Sequence, residues 1–72
     1  MNIGSNIKKA RIEKGIKQSE LAKELNVYQK DISRWESNKI IPTIYNIKLI
    51  CENLKISADQ LLEINHKKKE SE

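Results

Sequence analysis

Along this chain the apolar residues return every third or fourth position and nowhere alternate over a sustained stretch, while only Gly4, Gly15 and Pro42 punctuate the backbone. That spacing lines one stripe of an α-helix and cannot line one face of a strand, so the chain is predicted to be all-α. A first helix is expected over about 3–14, with Ile7, Ala10 and Arg11 on one stripe and Gly15 as its left-handed C-terminal cap. A second covers about 18–25 on Leu21, Ala22 and Leu25, followed by a turn at Asn26-Val27. A third covers about 29–37 and ends at Asn38, a residue that tolerates the left-handed conformation. Thr43 is placed to cap a fourth helix carrying Ile44, Ile47, Ile50, Cys51 and Leu54 on its inner side. Ser57 with Gln60 makes a capping box for a fifth, about 58–64, led by Leu61 and Leu62. These elements form one domain over 1–65, with a polar tail over 66–72 expected to be disordered.

A chain of 72 residues supports one small core, burying roughly 60% of the surface its unfolded form exposes, and leaves little room for a cofactor pocket. One cysteine, Cys51, excludes an internal disulfide, and with one histidine, His66, it falls short of the about four ligands of a structural zinc site. No cofactor, metal or small-molecule ligand is expected, and no enzyme's nucleophile, base and oxyanion donors can be assembled. No membrane span and no signal peptide are expected, and a reducing, cytoplasmic setting fits the sequence. Its heavy use of Ile, Lys and Asn is compatible with an AT-rich bacterial or phage genome. The formal net charge is +4, of which the tail carries +1, so the folded part holds most of the positive balance. That balance permits a polyanionic partner.

The second and third helices are the informative pair. With Ile32 at zero degrees and about 100° per residue, Tyr28 and Trp35 fall beside it, whereas Lys30, Ser33, Arg34 and Ser37 fall opposite and Gln29 on the flank. The polar face offers amide, ammonium, guanidinium and hydroxyl groups. Such groups match base edges: Gln pairs with adenine, Arg or Lys with guanine, and a helix is thin enough to enter a major groove. The alternative is an ordinary solvated helix face.

The stretches Ile7-Lys8-Lys9-Ala10-Arg11, Gln18-Ser19-Glu20-Leu21-Ala22 and Val27 through Glu36, ending Ile32-Ser33-Arg34-Trp35-Glu36, then Pro42, closely resemble the phage-repressor/Cro-like helix-turn-helix family, also called the XRE family. The resemblance covers about residues 3–62. It implies a compact five-helix, lambda-repressor-like fold whose third helix is the recognition helix. By position, Gln18 corresponds to a glutamine that contacts phosphate and steadies the recognition helix. Gln29 corresponds to one that bonds adenine, and Lys30, Ser33 and Arg34 to variable base-reading positions. Lys39 lies in the loop that grips phosphate. Arg11 and Glu36 match a partly buried structural ion pair.

Two departures stand out. Lys17 and Tyr28 replace the Ser or Thr that usually cap the second and third helices, each loss costing about 1 kcal/mol. Glu20 and Asp31, in the first turns, are expected to recover part through the helix dipole. Tyr28 is open to two readings: packing beside Ile32, or a hydroxyl on a phosphate.

Further phosphate contacts are expected from Lys17, Ser37, and Thr43 and Tyr45 at the start of the fourth helix, with Thr43 also capping. Trp35 and Cys51 read as core. His66 reads as an ordinary tail residue, and the run Lys67–Lys69 as a solvated tail or an auxiliary phosphate contact. The sequence thus predicts a regulator binding double-stranded DNA, a repressor on a pseudo-palindromic operator. A homodimer through Leu61, Leu62 and Ile64 would supply affinity beyond the about 600–1,000 Å² one module buries on DNA. Control would come from its own concentration or from a partner such as an anti-repressor. The alternative function is a protein-binding adaptor or antitoxin-type module on the same fold.

Overall fold

Six side chains are fully buried, and every helix supplies at least one of them: Ile7, Leu21, Ile32, Ile50, Leu54 and Leu61. The computed structural model describes residues 2–63. Its helices are α1 (Ile3–Glu13), α2 (Gln18–Leu25), α3 (Gln29–Glu36), α4 (Ile44–Leu54) and α5 (Ala58–Leu62), with no strand among the described residues. Burying one such Leu or Ile stabilises by about 1.5–3 kcal/mol, so a core fed by all five helices ties each of these short segments to the others. None of the described helices is long and apolar enough to cross a membrane.

The helices stop where the backbone turns left-handed. Gly15 (φ 73°), Asn26 (φ 59°) and Asn38 (φ 63°) follow α1, α2 and α3. Each stop carries the same pair of reversed bonds: Gly15 N–H to Ile12 O and Ile16 N–H to Arg11 O after α1, Asn26 N–H to Lys23 O and Val27 N–H to Ala22 O after α2, and Asn38 N–H to Trp35 O and Lys39 N–H to Arg34 O after α3. These are Schellman endings, which satisfy carbonyls the helix leaves open. Lys55 (φ 57°) and Glu63 (φ 58°) close α4 and α5 in the same conformation although neither residue type favours it.

At the helix starts, Thr43 Oγ1 accepts from Asn46 N–H at 3.2 Å, and Ser57 and Gln60 form the expected reciprocal box. Lys17 and Tyr28 supply no side-chain cap. Instead Glu20 accepts from the Lys17 N–H at 2.7 Å and Asp31 from the Tyr28 N–H at 3.0 Å. The acidic residues therefore do more than complement a dipole: each satisfies the main-chain donor at its own N-cap.

Three expectations are corrected. Ile44 points outward, 84% exposed, because the first turn of α4 runs past the core and burial rises along the helix to Ile50. α5 stops at Leu62 rather than continuing to residue 64, since Glu63 adopts the left-handed form. Leu61 is fully buried and closes the core beneath α1, so it is unavailable as a dimer surface, while Leu62 is half-buried. Ile64 and the tail over 66–72 lie outside the described residues.

Candidate nucleic-acid interface

The α2–α3 pair is locked from behind by one buried ion pair. Arg11, on α1, donates from Nε to Glu36 Oε2 at 2.6 Å and from Nη2 to Oε1 at 3.1 Å. Its Nη1 donates to the Ile16 carbonyl at 2.8 Å, so the guanidinium ties the α1–α2 connection to the end of α3. The Glu36 hydrogen bonds hold the Arg11 pKa above its ordinary value, against desolvation and with the carboxylate's charge adding. Arg11 thus stays charged at every working pH and is engaged inside the fold, as expected from its place in the sequence.

Glu36 accepts a third bond, from Gln18 Nε2 at 3.0 Å. Gln18 Oε1 in turn accepts from Gln29 Nε2 in a long bond of 3.5 Å. A polar chain therefore runs from the buried Arg11 through Glu36 and Gln18 to Gln29 at the start of α3. It leaves Gln29 with its carbonyl oxygen and a second amide hydrogen, the donor and acceptor that adenine presents partners for.

The outer face of α3 is free of packing duties. Ile32, Trp35 and Glu36 face inward, whereas Gln29, Lys30, Ser33 and Arg34 are exposed. Those four line one open groove together with half-buried Gln18 and exposed Lys39. The structure thus brings together all four base-reading candidates and two of the phosphate candidates. Ser37 lies in an adjoining hollow with Lys8, Gln18, Ser33 and Glu36, its hydroxyl donating back to the Ser33 carbonyl at 2.9 Å. Lys17, Thr43 and Tyr45 are exposed but do not line the groove. Tyr28 is 75% exposed, which rules out its packing beside Ile32.

Lys8 is the cation that sequence reasoning passed over. Its signal was its position directly after the core residue Ile7, one α1 residue in a basic run. Only the packing of α1 against α3 shows that it borders the reading face.

A family model described as helix-turn-helix matches residues 7–61, which takes in the ion pair, the groove, all of α2 to α4 and most of α1 and α5. The chain belongs to the helix-turn-helix family. Among solved structures, this helix-turn-helix chain is similar to the P22 c2 repressor protein in complex with a synthetic operator, with a TM-score of 0.79 and 30% identity over 85% of this chain and 92% of that one. It is also 32% identical over 62 residues to the HTH-type transcriptional activator BcrR of Enterococcus faecalis. That match takes in 86% of this chain but only 30% of the relative's length.

Proposed function

We propose that this helix-turn-helix chain is a sequence-specific module that binds double-stranded DNA in a transcriptional regulator, acting as a repressor on a pseudo-palindromic operator. α3 enters the major groove, with Gln29, Lys30, Ser33 and Arg34 meeting base edges. Lys17, Gln18, Ser37, Lys39 and the start of α4 at Thr43 and Tyr45 meet phosphates. The observation that carries this reading is the groove in which exposed amide, ammonium, hydroxyl and guanidinium groups converge on a helix whose other face is core. The likeness to an operator-bound repressor supports it, and the likeness to a transcriptional activator supports the regulator class but not the repressing action.

Substituting Gln29→Ala or Arg34→Ala is expected to lower the preference for operator over scrambled duplex by about 1–3 kcal/mol per lost bidentate contact. Lys39→Ala should weaken binding to both duplexes alike and reduce the salt slope by about one. Competition anisotropy on the two duplexes reads both effects. Unchanged discrimination in the Gln29 and Arg34 variants would favour the adaptor or antitoxin-type reading.

In this reading the operator-bound form is a homodimer, and with Leu61 in the core we assign its interface to the α4–α5 face instead of the end of α5. Ile44, Ile47, Cys51, Ala58 and Leu62 line an apolar groove there, with Lys48 and Glu52 at its edge. In a two-fold arrangement each patch meets its own copy. Burial, and then the nearby Glu52 charge, push the Cys51 thiol above its ordinary pKa, which keeps this face neutral. Sedimentation with operator DNA should show two chains per site for the wild type and one for Ala58→Asp, an exposed groove position on α5 away from the phosphate-facing start of α4. A wild-type monomer on the operator would remove the dimer from this reading.

A further inference from the structure

Tyr28 is the large exposed side chain at the reading end of α3 that the contacts above leave without a task. It stands at the N-cap, its main-chain N–H already held by Asp31. Its side chain caps nothing, and its ring is 75% exposed. One neighbour fixes where that ring lies: the Lys30 ammonium sits 5.6 Å from its centroid, over one face. Lys30 lines the reading groove, so this contact sets the largely exposed ring beside a groove residue at the start of α3.

From this placement we propose that Tyr28 is a specificity residue that reads thymine, its open ring face packing on the C5-methyl group of a thymine neighbouring the base met by Gln29. The inference rests on the DNA-binding reading given above and adds a base preference to it. The chemistry favours the ring over the hydroxyl as the acting part. The N-terminal residues of a recognition helix are those that meet base edges. Of the groups displayed in the major groove, the thymine methyl is the apolar one, and it takes apolar or aromatic partners.

The test uses the full chain and an operator selected from a random duplex pool, in which each thymine is replaced singly by deoxyuridine. That exchange removes one methyl group and keeps every hydrogen-bonding group. The wild type should lose about fourfold in affinity at one position in each half-site, the fold-change of about 0.8 kcal/mol for one buried methyl. Tyr28→Phe should show the same loss at that position, and Tyr28→Ala none. The proposal is overturned if no deoxyuridine position depends on residue 28. It is equally overturned if Tyr28→Phe behaves as Tyr28→Ala, because the hydroxyl would then be the acting group and phosphate its partner. A pool that enriches no site at all removes the sequence-specific reading and this inference with it, an outcome distinct from an operator indifferent to its thymine methyls.

Discussion

Glu36→Ala is expected to destabilise the fold by about 3–5 kcal/mol, because it strands a buried, charged guanidinium rather than merely deleting a contact. Arg11 is as inaccessible as the core beside it, the two side chains being 10% and 3% exposed. A domain of this length has a total stability of about 4–11 kcal/mol, so the loss takes a large share of it. Urea denaturation followed by circular dichroism measures the loss. Arg11→Met combined with Glu36→Leu removes both charges and should restore most of it, since an apolar pair carries no desolvation penalty. If the single substitution left the midpoint unchanged, the pair would be solvated in solution and would contribute no more than a surface bridge.

The second large effect comes from a residue with no side chain. Gly4→Ala should lower stability by about 1–3 kcal/mol, even though alanine is the better helix former by about 1 kcal/mol. A methyl group there would overlap the Trp35 carbonyl oxygen and stand 2.7 Å from Asn38 Oδ1 and 2.9 Å from the Glu36 carbonyl oxygen. Two of these are main-chain atoms in the last turn of α3, which cannot swing aside as a side-chain tip would. Moving α1 away instead breaks the bond from Gly4 N–H to Asn38 Oδ1, 3.0 Å long, which serves a donor at the start of α1. Each kilocalorie lost should lower Tm by about 4–8 °C in a domain this small. Ser5→Ala, at the exposed neighbouring position, is the control and should leave Tm unchanged or raise it. An unaltered Tm for Gly4→Ala would mean that α1 and α3 stand further apart than described.

These two sites differ in how far the sequence discloses them. The ion pair was legible, since Arg11 and Glu36 fall at matching positions of a recognisable pattern and Glu36 lies at the edge of the apolar stripe of its helix. The helix spans apart from the end of α5, the Thr43 cap and the Ser57–Gln60 box were legible too, because each depends on neighbours within one turn. The need for glycine at residue 4 was not, as it arises from a backbone approach between segments more than thirty positions apart. The same distance limit explains Ile44 and Leu61. Periodicity assigns a residue to a stripe, but whether the stripe still faces the core at the end of a short helix depends on how far the neighbouring helices reach. The reading residues could be grouped by angle alone. Their tether to Gln18 and Lys39, and the ring of Tyr28 under Lys30, needed the packed helices.

The division of α3 has a consequence for how such a regulator can diverge. Lys30, Ser33 and Arg34 touch nothing that the core requires, so their identities can drift at little cost to folding, and a new binding site can be acquired without rebuilding the domain. Gln29 is different. A long bond of 3.5 Å joins its amide to Gln18, which also holds Glu36. Within one eight-residue helix, then, three reading positions are free to change and a fourth is joined to the neighbour that bonds the buried pair.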